Sequence, residues 1–209
     1  MNCLPHPAGL LKRGPRAPGL ALIELLVTVV ILLLLFTMFF GAGTSSRRTE
    51  ARLRCQGNLQ KTFVALQLFA NDHDGWFPQA TNATGAGMAL VALVPRYTAD
   101  PTILVCPGRT ETAPAPDRVL REGRISYSYY QGHRQTAPAG FLLTDWQVNT
   151  RAKRVGDLLF SETGEKPGNN HAKDGGNLLG FTGDTLTSPP RAAVDLPLAA
   201  GVVLLNPNP

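Results

Sequence analysis

Residues 20–40 read LALIELLVTVVILLLLFTMFF, 21 positions with a single charge, Glu24. At a helical rise of ~1.5 Å per residue the run extends about 31 Å, close to the hydrocarbon thickness of a bilayer. It is longer than the ~7–15 apolar residues of a secretory signal. A membrane-spanning helix is therefore expected. Lys12, Arg13 and Arg16 precede the run without an accompanying acid, and this asymmetry keeps the start of the chain cytoplasmic and places the C-terminal part outside. Arg47 and Arg48 on the far side weaken that argument without reversing it. Glu24 is the misfit, because an ionisable group in an apolar segment is costly and calls for a partner or for headgroup solvation.

Outward from this run the chain changes character. The 209 residues allow one domain plus an anchor. The formal charge is +5, but three of the cations belong to the segment before residue 20. Without them, 17 basic side chains face 15 acidic ones. No basic stripe with interleaved aromatics follows, so nucleic acid is not an expected partner.

After Gly41-Ala42-Gly43, which weakens a helix locally, Leu59, Phe63, Leu66 and Ala70 recur at intervals of four, three and four, the spacing of one helical face. Ser45 or Ser46 with Glu50 supplies a capping signal. Gly75 and Pro78 supply the stop. The reading is one long helix from about Leu20 to Asn71, its first half membrane-spanning and its second half amphipathic.

Short strand signals come next, at Ile125–Tyr129, Gly140–Trp146, Asp157–Glu162, Asn177–Phe181 and Gly201–Leu205, with Asp174-Gly175-Gly176 as a tight turn. Residues 80–87 and 110–116 read as loops. The expected class is α+β, a long helix packed on a small, mostly antiparallel sheet. The segments are 1–19 (leader), 20–43 (transmembrane helix), 44–75 (amphipathic helix) and 76–209 (globular β domain outside the cytoplasm).

Cys3, Cys55 and Cys106 offer no CxxC pair and no Cys/His spacing suited to zinc. If Cys3 departs with a leader, the remaining pair in an exported domain suggests a disulfide. Its loop of about fifty residues is worth ~4 kcal/mol on the chain-entropy model. Two buried free thiols are the alternative.

The run Gly19-Leu20-Ala21-Leu22-Ile23-Glu24-Leu25-Leu26-Val27 resembles the prepilin cleavage and methylation motif of type IV pilins and type II secretion pseudopilins. The resemblance implies cleavage by a prepilin peptidase between Gly19 and Leu20 and N-methylation of Leu20. It makes Glu24 the fifth mature residue, which pairs with a neighbouring subunit's amine during assembly. The family favours Phe and Thr at the first two mature positions, where this chain has Leu20 and Ala21. The stretch from Cys55-Gln56-Gly57-Asn58-Leu59 to Asp72-His73-Asp74-Gly75-Trp76-Phe77-Pro78, with Cys106-Pro107 later, is similar to a bacterial subgroup carrying C-x-x-N-L, D-x-D-G-x-F-P and C-P. This supports the Cys55–Cys106 pairing. His171-Ala172-Lys173-Asp174-Gly175-Gly176-Asn177 resembles that subgroup's H-x-x-G-G-N hairpin, whose usual F-A-D-G-H continuation is replaced here by Phe181-Thr182-Gly183-Asp184-Thr185.

The resemblance implies a pilin-like, non-enzymatic subunit of a secretion or pilus-like filament at the bacterial inner membrane, a minor component by its length and loops. Its partners would be prepilin peptidase, other pilin or pseudopilin subunits, an inner-membrane assembly platform and membrane lipid. Asp72 and Asp74 make a fragment of a calcium loop without its distal Glu, so no cofactor is expected beyond a calcium candidate there. His171 with Asp174, or His133, suggests a base or ligand, but no Gly-x-Ser-x-Gly, His-Glu-x-x-His or phosphate loop accompanies them. The competing reading is a membrane-tethered periplasmic module that binds an envelope or carbohydrate ligand through Trp76, Tyr127, Tyr129, Tyr130 and Trp146.

Overall fold

The apolar run forms helix α1, Leu22–Gly41. In this computed structural model the described residues are 22–41, 43–109, 116–122, 124–137, 140–148, 155–191 and 198–207. The leader and the Gly19–Leu20 bond lie outside them. Thr28 and Thr37 return their hydroxyls to the carbonyls of Leu25 and Leu34, both at 2.8 Å, so neither leaves a free donor on the helix surface.

The expectation of a membrane-spanning first half is corrected. Among the described residues no helix is long and apolar enough to cross a membrane. The helix is described from Leu22 and carries Glu24 near that end. The uncharged stretch behind that carboxylate, residues 25–40, measures about 24 Å at ~1.5 Å per residue, short of a ~30 Å hydrocarbon core. Of the helix expected over 20–71, the described residues form α1 and, resuming after residue 42, α2 (Gly43–Asn71). The chain divides into two compact units, Met1–Gly43 and Thr44–Pro209.

In the second unit, α2 presents the face foreseen from its spacing. Cys55, Leu59, Leu66 and Ala70 are fully buried, and Phe63 packs against them. Asp74 and Gly75 take left-handed backbone (φ 51° and 79°), and the Gly75 N–H returns to the Ala70 carbonyl at 2.8 Å, ending the helix. A short helix α3 (Ala86–Leu90), 3-10 turns at Val91–Leu93 and Pro101–Leu104, and α4 (Pro116–Glu122) follow.

The strands are β1 (Tyr127–Gln131), β2 (Phe141–Asp145), β3 (Gly176–Gly180), β4 (Thr185–Ser188) and β5 (Val203–Leu205). They form one antiparallel sheet in the order β4-β3-β2-β1-β5. The fold is α+β with a five-stranded antiparallel sheet. The strand expected at Asp157–Glu162 is absent as such. Leu159 and Phe160 instead pack as a small apolar cluster with Leu178 and Phe141. β4 was not anticipated because Thr185-Leu186-Thr187-Ser188 is a mostly polar edge strand, held by the ladder to β3 and the turn at Gly183 (φ 86°).

The central strands are covered on both faces, which is why β1 and β3 bury consecutive residues rather than alternate ones. One face meets the apolar core with Leu59, Leu66, Tyr127, Tyr129, Leu143 and Leu179. The other carries a polar layer. There the Gln147 amide donates to the Tyr130 hydroxyl at 2.7 Å and to the Thr144 hydroxyl at 2.8 Å, while Ser128 bonds Asn206.

Two positions on α2 separate packing from helix propensity. Leu66→Ala removes a fully buried side chain and is expected to cost about 2–5 kcal/mol by urea unfolding. Val64→Ala, 58% exposed on the same helix, should stay within roughly 0.5 kcal/mol of wild type.

Candidate functional site

A charged residue ends the apolar strand β2. The side chain of Asp145 is fully buried, and a buried carboxylate is tolerated only when its oxygens are bonded and its charge is met. Both conditions hold. Oδ1 accepts from the Asn170 amide at 2.8 Å and from the Cys55 thiol at 3.1 Å. Oδ2 accepts from the Asn177 backbone N–H at 2.7 Å and its side-chain amide at 2.9 Å. His171 Nε2 lies 3.2 Å from Oδ2, an ion pair shielded from solvent.

The donors arrive from several elements. Cys55 projects from α2. Cys106 follows the 3-10 turn at Pro101–Leu104, and its sulfur is 2.6 Å from that of Cys55. Both cysteines are buried thiols. His171 and Asn170 lie in the loop before β3, and Asn177 is on β3. The Cys106 sulfur is 3.5 Å from His171 Nε2 and accepts the Gly108 N–H at 3.3 Å. Tyr127 of β1 places its hydroxyl 3.2 Å from the Cys55 sulfur. One ligand atom each from Cys55, Cys106, Asp145 and His171 falls within 4.8 Å of all the others.

A second ring of contacts holds these groups. The Asn177 side-chain oxygen accepts from Arg52 Nε at 3.4 Å and from Gln56 at 3.2 Å. Arg52 also caps the carbonyls of Gly176 and Ser188, at 3.0 and 3.1 Å. Asn170 donates to the Ser126 carbonyl at 2.7 Å. Gly108 is glycine for space, since a Cβ there would come within 2.5 Å of His171 Nδ1. An open cleft of about 810 Å³, lined by Arg47, Arg48, Arg52, Arg109 and Lys173, reaches His171 and Gly108 from outside.

The electrostatics follow from this packing. Burial lowers the His171 pKa, but its hydrogen bonds and attraction to Asp145 and Cys106 raise it from 6.5 to about 10. Burial pushes the Asp145 carboxyl up, and His171 with Asn170 and Cys55 carries it below its ordinary value. Cys106 is pushed up by burial and brought below its ordinary value by its bonds to Cys55 and His171. Burial, then Cys106 and Asp145, push Cys55 well up. Imidazolium and carboxylate are thus the stable forms of the metal-free pair.

The structure brings Cys55, Cys106 and His171 together and adds Asp145, which sequence reasoning did not single out. It pairs His171 with Asp145 rather than with Asp174. The missed signal was an acid in register with inward-facing Leu143, two positions earlier on the same strand. Glu24 is exposed on α1, whereas Gly19 and Leu20 lie outside the described residues. At the calcium candidate, the Asp72 carboxylate is engaged by Arg96 at 2.8 Å and the Tyr97 hydroxyl at 3.0 Å, and Asp74 turns the backbone and lends its carbonyl to Arg134. His133 meets the Phe181 ring edge-on. Of the aromatic surface in the competing reading, Tyr127, Tyr129, Tyr130 and Trp146 are buried. Trp76 alone of the five is exposed, under the Arg134 guanidinium.

Comparison with protein-family models, with curated proteins and with solved structures finds no match to this chain.

Asp145→Ala leaves the His171 imidazolium buried without its counter-charge and is expected to destabilise the chain by about 3–5 kcal/mol. A double-mutant cycle of Asp145→Ala with His171→Leu measures the coupling. The raised His171 pKa makes that coupling complete below about pH 6.5, the ordinary histidine value, and dissipates it as pH climbs through about 10. The depressed Asp145 pKa removes it again in acid, below the ordinary carboxylate range.

Proposed function

We propose that this chain is a filament subunit of the type IV pilin-like kind, cleaved after Gly19 by a prepilin peptidase, methylated at Leu20, and assembled through α1 with other copies or related subunits. The observation that carries the reading is the coincidence of a basic leader ending in glycine with an apolar helix whose one charge is Glu24.

The physical chemistry of α1 supports it. Its large apolar side chains are exposed on every side, from Leu22 at 82% to Met38 at 77%. A helix apolar all round gains stability only by burial among other apolar groups. Each large side chain so covered contributes roughly 1.5–3 kcal/mol. Packed helices from several copies supply that cover. In such a bundle a lone Glu24 is penalised unless a positive group meets it, and the freed α-amine of a neighbouring subunit's Leu20 is the group at hand. The position of Glu24 in the first turn of α1 also suits the helix dipole. The domain that follows is presented outside the cytoplasm on the assembled filament, and an assembly platform at the inner membrane loads the subunits.

Two substitutions test the reading in cells that carry the processing and assembly machinery. Gly19→Trp should leave a longer chain with its leader attached, seen by mass spectrometry of the N-terminus. Glu24→Val should be cleaved normally yet lose the ladder of crosslinked multimers. An intact ladder from Glu24→Val would contradict the assembly role.

A further inference from the structure

We propose that Cys55, Cys106, Asp145 and His171 form a four-coordinate zinc site. Here each sulfur has its own further polar neighbour, Asp145 Oδ1 at 3.1 Å from Cys55 and His171 Nε2 at 3.5 Å from Cys106. The imidazole and carboxylate in turn meet each other at 3.2 Å. Zinc takes thiolate, imidazole and carboxylate at ~2.0–2.3 Å in tetrahedral geometry, so its ligand atoms stand roughly 3.3–3.8 Å apart. The contacts of 3.1, 3.5 and 3.2 Å are of that order, Cys55 meeting Oδ1 and His171 meeting Oδ2 of Asp145, and one ligand atom from each of the four residues falls within 4.8 Å of all the others. The sulfur pair, 2.6 Å apart, would have to open by about 1 Å to admit the ion.

The surroundings are those of a metal centre. A carboxylate ligand requires its own hydrogen bonds to be aimed, and Asn170 and Asn177 supply them from two sides. The Gly108 N–H donates to the Cys106 sulfur, as backbone amides do to zinc-bound thiolates. All four residues are buried, which suits a closed, structural site rather than one with an open catalytic position. Binding is an exchange: the zinc ion replaces the thiol protons and the Nε2 proton of His171, which leave to solvent. Joining α2, the loop after the 3-10 turn, β2 and the approach to β3, the ion would staple together elements far apart in sequence.

The test uses the full-length chain, purified with a non-thiol reductant and stripped with chelator. It is then equilibrated with zinc alone, and in parallel with cobalt as a spectroscopic substitute. The expected result is one zinc bound per chain, acid release on binding, and a higher thermal unfolding temperature. The cobalt form should show the thiolate charge-transfer band and intense d–d absorption of a tetrahedral site. Asn177→Ala, which alters no ligand, should weaken zinc binding by roughly 10–100-fold. Substoichiometric zinc with both thiols open to a thiol reagent would overturn the proposal. So would a cobalt spectrum without the thiolate band, or a Cys55–Cys106 disulfide that forms in the presence of excess zinc and leaves none bound.

Discussion

A carboxylate with no access to water organises the C-terminal unit. Asp145 sits at the end of a central strand, where desolvation penalises its charge heavily. The fold answers with donors from several directions: an amide from the loop before β3, a backbone N–H from β3 itself, a thiol from α2, and the His171 imidazolium. None of these elements can shift without leaving a buried polar group unmet. The apolar core supplies most of the burial, but apolar contacts tolerate sliding. The bonds around Asp145 define which residue of α2 faces which residue of the sheet. Arg52 and Gln56, one turn from Cys55 or less, extend that control by tying α2 to Asn177 on β3.

The N-terminal unit obeys a different constraint. Its helix has no polar face and satisfies its two threonine hydroxyls internally. It therefore contributes no specificity through side-chain hydrogen bonds to a partner, apart from Glu24. Burial drives association without choosing an axial register, and one charge in an otherwise neutral surface is enough to choose it. In the proposed filament the two units divide the labour. One supplies adhesion between copies and its register, and the other supplies the folded body.

Much of the C-terminal unit was legible because its signals are local. The period of Leu59, Phe63, Leu66 and Ala70 gave the buried face of α2, and Gly75 gave its end. Four of the five expected strands lie within a few residues of their positions, since each is an apolar run bounded by turn residues. Asp157–Glu162 misled because an apolar pair, Leu159 and Phe160, fills a satellite cluster without entering the ladder. β4 escaped because pairing with β3, not its own composition, makes it a strand. The apolar run at residue 20 was long enough in sequence to span a bilayer, but among the described residues no helix is long and apolar enough to cross one, and Glu24 interrupts the run near its start. At the site, the cysteines and His171 were visible as residue types. Their convergence on Asp145 depends on contacts up to ninety residues apart, which no local pattern encodes.

The claim that an ionic pair sits at the centre of this domain is tested most directly by nitrogen-15 NMR of the His171 ring in the metal-free, full-length chain at pH 8. The account predicts an imidazolium with protons on both ring nitrogens, at a pH where an ordinary histidine is neutral. A neutral ring with one protonated nitrogen, titrating near 6.5, would show that Asp145 is satisfied by neutral donors and that the ionic account of this core is wrong.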